Sequence, residues 1–256
     1  MEKQNIPTEI EFRMIKPDPS LSEFVESFWM LKSRSDQARD VVVLPDGRID
    51  LFFLTSPLQT PRILLVGLES EPQRNTILPG STMFAVSFKL LAVEYVLDTS
   101  VASILNNVRE LAPDFWNIEA SLLENFDDFC KVVSRQIECL VQKGIDDRKR
   151  KLFKLLYSFN GALTVQEISE QVAWSRRQMN RYFQDRFGIS LKAYSNILRF
   201  RASFPQIKDG KLFPEQNFTD QSHFIKEVKR YSGVAPGELN KNTDQRFIHF
   251  LLLPPT

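Results

Sequence analysis

Arg176, Arg177, Asn180 and Arg181 fall within six consecutive positions, and theirs is the most specific chemistry in the chain. A guanidinium can fork onto O6 and N7 of guanine, and a carboxamide onto N6 and N7 of adenine. On a helix, positions i, i+1, i+4 and i+5 share one face. A solvated polar face would carry similar residue types. The scarcity of acids here, and the position near a helix N-terminus, favour nucleic-acid contact instead.

Other chemistries find little to work with. The only histidines are His223 and His249, so residues 1–147 hold none for a metal centre. Cys130 and Cys139 lie nine apart in a helical pattern and read as reduced thiols. There is no Gly-rich phosphate loop, no G-x-S-x-G and no Cys–His pair in motif context. The sequence therefore argues against an enzyme, and neither a cofactor nor a metal is expected. No segment approaches the roughly 20 apolar residues of a membrane span. The start, MEKQNIPTEIEF, lacks the basic-then-apolar pattern of a signal peptide. A cytoplasmic chain with no membrane partner is expected.

The elements that must position the four side chains are legible around them. Thr164 with Glu167 forms a capping box for a helix whose stripe is Val165, Ile168 and Val172. A turn at Ala173-Trp174 follows, and Ser175 caps a second helix. Met179, Phe183 and Phe187 are that helix's buried stripe, and Gly188 stops it. This is a helix-turn-helix with the four polar residues outward, near the end that enters a major groove. Further on, Phe224, Val228 and Tyr231 form another inner stripe and leave Gln221, Lys226, Lys229 and Arg230 outside. Cations at the far end suit phosphate contacts.

Charge divides the chain. Residues 1–147 carry 14 basic and 23 acidic side chains, whereas residues 148–242 carry 18 and 8. A basic module joined to an acidic one is implied, and a basic module releases counterions when it neutralises phosphates. With 43% hydrophobic residues there is apolar material for two modest cores. Short apolar runs at Val41–Leu44, Ile49–Leu54, Ile63–Val66 and Met83–Phe88, separated by Gly and Pro turns, predict a β-rich barrel or sandwich. A helix is expected before them from Ser20 to about Met30, with Leu21, Phe24, Val25 and Phe28 on one face. From Val93 onward the pattern reads as helical. Its clearest part is 121–143, where Leu122, Phe126, Phe129, Val133, Ile137 and Leu140 form a stripe. That stripe fits either packing on the N-terminal domain or pairing in a homodimer. Gly144 should end this helix, and Asp146-Asp147 should cap the next.

Residues 148–240 resemble the DNA-binding module of the AraC/XylS family of transcription regulators. The resemblance rests on Ser175-Arg176-Arg177-Gln178-Met179-Asn180-Arg181-Tyr182-Phe183, Phe187-Gly188-Ile189-Ser190, Tyr194 to Arg201, Asp220-Gln221-Ser222-His223-Phe224 and Gly233-Val234-Ala235-Pro236. It implies two helix-turn-helix units joined by a long helix. Arg176, Arg177, Asn180 and Arg181 would then face double-stranded DNA from the first unit, and Gln221, Ser222, His223 and Lys226 from the second. The sequence departs from this pattern. Only Phe213-Pro214-Glu215-Gln216-Asn217 separates Gly210-Lys211-Leu212 from Phe218, too few residues for the usual supporting helix, and Pro214 forbids a helix interior. Pro205 should interrupt the joining helix and push Phe204 out of helical geometry.

More weakly, Phe24-Val25-Glu26-Ser27-Phe28-Trp29 and Leu44-Pro45-Asp46-Gly47-Arg48-Ile49-Asp50-Leu51 resemble a cupin-like sensor domain of some of these regulators, which implies a small-molecule effector. Asp46-Gly47 reads as a turn. Asp50, in an apolar run, needs a partner if buried, and Arg48 shares its strand face.

The expected architecture is α+β. It comprises a β-rich barrel-like domain (1–110), a helical linker or dimerisation segment (111–146), a helical domain with one intact and one truncated helix-turn-helix (147–242), and an apolar tail (243–256). The function implied is sequence-specific DNA-binding transcription regulation. The alternative is a regulator that acts mainly through protein–protein contact. The tail Arg246–Pro255 is too apolar to lie bare, and should pack on a neighbouring domain or add to a sheet edge, within the chain or across a dimer.

Overall fold

The computed structural model describes residues 9–141, 144–215 and 218–252. Alternating β-branched and aromatic residues build the first part. β1 (Ile10–Ile15), β2 (Val25–Ser33), β4 (Ile49–Ser56), β5 (Gln59–Val66), β7 (Thr82–Phe88) and β8 (Val108–Leu111) form one antiparallel sheet in the order β1-β2-β7-β4-β5-β8. β3 (Arg39–Val43) and β6 (Gln73–Ile77) form a separate two-stranded ribbon. The ribbon packs over the β1-β2 half of the large sheet through Ile10, Leu31, Val41 and Ile77. The fold is α+β, a sheet-rich N-terminal domain followed by a helical region.

Residues 25–33 are a strand, not the expected helix. The apparent helical spacing has two causes. β2 is covered on both faces, so Phe28, Met30 and Leu31 are all buried. The register also slips between Val25 and Ser27, a bulge that resets the alternation. Nor is the chain helical throughout after Val93. α1 (Leu91–Tyr95) is short, and β8 intervenes before α2 (Phe126–Leu140). The sheet edge at β5 outweighed local preference, as β8 pairs Val108 with Val66 and Leu111 with Ile63.

α2 begins where the Asn125 carboxamide accepts the backbone N–H of Asp127 and Asp128. Its stripe packs within the chain. Phe129 meets Phe53 and Phe84 edge-on at 5.2 Å, and Phe126 meets Phe84 at 5.3 Å. Cys130 is buried, Cys139 is exposed, and both are free.

The helical region comprises α3 (Asp147–Ser158), α4 (Val165–Val172), α5 (Arg176–Phe187), α6 (Leu191–Ala202), α7 (Phe204–Lys208), α8 (Gln221–Ser232), α9 (Pro236–Lys241) and α10 (Ile248–Leu252). Asp146 caps α3 as expected, accepting from Arg148 N. Phe204 is helical after all. Pro205 stands in the first turn of a new helix, where its missing N–H costs nothing, and the chain kinks at Ser203 instead. Phe204 is buried against Phe200 and Phe250. The tail packs within the chain as expected, but adds no strand: it touches the sheet at one isolated bridge and then turns into α10. Val42 N donates to Arg246 O at 2.6 Å on the open edge of β3, and Phe247, Ile248 and Phe250 are buried. Residues 253–256, the end of the expected apolar run, lie outside the described residues. No helix among the described residues is long and apolar enough to cross a membrane.

Candidate nucleic-acid interface

The first helix-turn-helix is built by its caps. Thr164 and Glu167 exchange side-chain and backbone bonds at the start of α4, and Ser175 and Gln178 do the same at the start of α5. Each box satisfies two otherwise orphaned N–H groups. The turn needs a left-handed residue, and Ala173 takes that conformation at φ 50°. Ser169 Oγ donates to Trp174 O at 2.8 Å and closes the turn. Gly188 ends α5 at φ 78°. Ile168, Val172, Met179, Phe183 and Phe187 are buried, with Phe183 against Phe153 and Tyr194.

With its apolar stripe held inward, α5 presents Arg176, Arg177 and Arg181 to solvent. Among the described residues, Arg181 keeps only a loose pair with Asp185 at 3.9 Å. These three are brought together near the positive end of the helix dipole. Asn180 stands apart, for its Oδ1 accepts from Leu191 N at 3.2 Å and braces the entry to α6.

In the second unit, Asp220 caps α8 by accepting from His223 N at 2.8 Å. Phe224, Val228 and Tyr231 are buried, and Tyr231 stacks on Phe200 of α6 at 5.3 Å. Among described residues 209–215 and 218–220 no helix precedes α8. Side chains brace the loop in its place. Gln221 Nε2 donates to Leu212 O at 2.7 Å, and Gln206 Nε2 to Phe213 O at 2.7 Å. Gln221 is thereby tied back to the chain, and its Oε1 is buried without a partner among the described residues. His223 Nδ1 accepts from Thr219 N at 3.3 Å, with its ring edge-on to Phe218. Of the second set, Ser222 and Lys226 remain exposed, together with Lys229 and Arg230.

Two carboxylates join the helices to the sheet-rich part. Glu26, the bulged residue of β2, receives Arg48 at 3.3 Å, Arg201 of α6 at 3.4 Å, Lys16 at 3.2 Å and Lys89 at 3.7 Å. Burial would raise its pKa, but the cations, led by Arg48 and Arg201, outweigh that and hold it down at about 2. Arg48 is buried over the Tyr157 ring, and Tyr194 Oη donates to Gly47 O at 3.0 Å. Glu94 of α1 accepts from Lys149 at 2.6 Å and from Tyr182 Oη at 3.0 Å, the latter on α5. The C-terminal end of α5 also rests on the 99–102 segment. Val101 N donates to Arg186 O at 2.9 Å, and Arg186 Nη1 to Thr99 O at 3.2 Å.

The expected Arg48–Asp50 pair is therefore not formed. Glu26 takes the guanidinium, because the bulge aims its side chain there. Asp50 instead accepts from Ser87 Oγ, which accepts from Trp29 Nε1 at 3.0 Å. Asp46-Gly47 is the expected turn, with Asp46 Oδ1 accepting from Arg48 N at 2.9 Å and Gly47 at φ 76°. Sequence reasoning did not assign Glu26, Glu94, Tyr194 or Arg201 a role. The signal available was that Glu26, Tyr194 and Arg201 lie inside the segments that carried the resemblance.

Residues 13–110 match a family model described as a domain of unknown function, DUF6597. No curated protein matches the chain. Among solved structures, ToxT from Vibrio cholerae O395 covers 95% of this chain and 98% of its own, at 12% identity and TM-score 0.45. Another ToxT crystal structure covers 96% and 100% at 13% identity and TM-score 0.45. Unsaturated fatty acid-bound wild-type ToxT from Vibrio cholerae strain SCE256 covers 94% and 97% at 14% identity and TM-score 0.40. Likeness at this level carries no statement of function.

Proposed function

We propose that the chain is a sequence-specific DNA-binding transcription regulator, controlled by a small ligand at its sheet-rich domain. The observation that carries this is the trio Arg176, Arg177 and Arg181, exposed together on the leading end of a doubly capped helix. The helix enters a major groove with these residues toward base edges, while Asn180 holds the unit's shape. Because Gln221 and His223 are occupied by the α7–α8 loop, α8 contributes phosphate contacts from Lys226, Lys229 and Arg230 more than base reading. The ties through Glu26 and Glu94 give the sheet-rich domain a grip on both α5 and α6, so a ligand that shifts that domain can shift the readers.

Arg176→Ala with Arg177→Ala is expected to weaken specific duplex binding roughly tenfold to a hundredfold, at about 1 kcal/mol or more per arginine. Lys226→Ala with Lys229→Ala should instead weaken all duplexes alike and reduce the salt slope by about 2. Salt titrations of duplex affinity check both. No binding of the purified chain to duplex DNA at low salt would sink this reading in favour of a regulator acting by protein contact.

A further inference from the structure

The large sheet has a second face that the DNA-binding reading leaves unused. Its register sets Ser27, Ser87, Asp50 and Val66 in one row, and Trp29, Ala85, Phe52 and Leu64 in the next. The ribbon covers the β1-β2 half of this face, and over β4 and β5 Phe52, Leu54, Leu64 and Val66 stay partly exposed. Trp29 and Phe52 meet edge-on at 5.3 Å across Ala85, the smallest residue of its row. An apolar floor is thus left open beside Asp50.

The end of that floor is acidic. Glu69 sits close enough to Asp46 and Asp50 to feel both charges, and it is enclosed by protein while keeping a small accessible surface. Its segment is pinned. Gly67 N donates to Asn107 O at 3.0 Å, Asn106 N to Leu68 O at 2.8 Å, and Ser70 N to Asn106 Oδ1 at 2.7 Å. A Cβ at Gly67 would meet Ile104 O at 1.9 Å, so the chain cannot be moved aside there. Among the described residues, Glu69 has no hydrogen bond or ion pair, and Asp50 has no cation within 4 Å. Arg48 and Arg201 are engaged by Glu26. Buried carboxyls without a cation are costly unless something else supplies one. The acids do not converge as a metal-ligand set.

We propose that this face binds a small organic ammonium cation, its charge on Asp50 and Glu69 and its apolar body along Phe52, Leu64 and Val66. The proposal names the ligand class for the regulator reading above, and rests on that reading only for the consequence of binding. Both acids are shifted upward, chiefly by burial, so a cation that binds their ionised forms releases protons from them. Asp46, Arg48, Arg201, Ser87 and His249 are the other polar groups around these acids and the adjoining turn.

The test is calorimetry on the full chain with phenethylamine, benzylamine and hexylamine, against 2-phenylethanol, hexanol and hexanoate, in two buffers of different ionisation heat. Binding of an amine at least about tenfold tighter than its alcohol, with proton release, is the expected result. Asp50→Asn and Glu69→Gln should each lose about tenfold or more in amine affinity while circular dichroism shows the fold retained. Failure of all three amines to bind at ~10 mM, or equal binding of the alcohols or hexanoate, overturns the proposal. So does unchanged amine affinity in both variants. Duplex affinity without amine is measured separately, so failure of DNA binding with amine binding intact would strike only the regulator reading.

Discussion

Glu26→Gln is expected to destabilise the folded chain by about 3 kcal/mol at pH 7, the conversion of its lowered pKa into stability. The cause is the number of cations that depend on one carboxylate. Arg48 is buried and Arg201 comes from a different part of the fold, so losing the charge leaves a buried guanidinium without its anion. The pH dependence has a definite sign. Glu26 ionises more readily folded than unfolded, so its contribution is complete above its unfolded pKa near 4.3. That contribution drains away as pH falls toward about 2. Urea titrations at several pH values should therefore show a gap between wild type and variant that is constant from neutrality down to about pH 5, and closes below it. A variant within about 1 kcal/mol of wild type at pH 7, or a gap that persists in acid, would refute this account of the interface. Because Arg201 lies on α6, the same variant should loosen α6 from the sheet. Faster amide exchange through Tyr194–Arg201 would report it.

What could be read from the sequence followed from how local each signal is. The first helix-turn-helix was legible almost to the residue, since its caps, turn and stripe are all set within four residues of one another. Thr164 with Glu167 and Ser175 with Gln178 needed no distant partner. The α7–α8 loop was legible in outline, because Pro214 and the short spacing exclude a helix. Where Gln221 points was not, since that depends on Leu212 O, nine residues away. The strand at 25–33 was misread because its pattern reflects cover on both faces and a bulge, facts of the whole sheet. β8 was missed for a related reason, as four residues gain their identity from the edge they join. The interface was the least legible part. Glu26 and Arg201 are 175 positions apart, and nothing in either local pattern announces the other. Of the eight candidate DNA contacts, Asn180, Gln221 and His223 proved to have structural partners. Polar side chains near a cap serve the backbone as readily as a ligand, and sequence spacing alone does not separate the two uses.

Asp50→Asn should move stability in the opposite direction to Glu26→Gln, and the contrast follows from the surroundings. Burial, reinforced by Asp46, pushes the Asp50 carboxyl up to about 7, against the Ser87 hydrogen bond and the more distant Arg48 and Arg201. In the unfolded chain the same group titrates near 3.9. Between those values the folded state holds a proton that the unfolded state has lost, so wild-type stability falls as pH rises through the window and levels off above about 7. Asparagine keeps an oxygen for Ser87 and never ionises. The variant should match wild type near pH 4, and exceed it above pH 7 by an amount on the order of 2–4 kcal/mol. Subtracting the two unfolding curves cancels the titrations of Glu26 and His249, which both chains share. A variant less stable than wild type at pH 8 would mean that Asp50 is held ionised by a partner it does not have among the described residues. The expected gain bears on function as well. An acid that destabilises the empty fold at neutral pH, with an aromatic pair beside it and no cation of its own, is retained at a cost to stability. A cationic ligand would offset that cost on binding, so the amine that binds most tightly should also raise the wild-type melting temperature more than that of the asparagine variant.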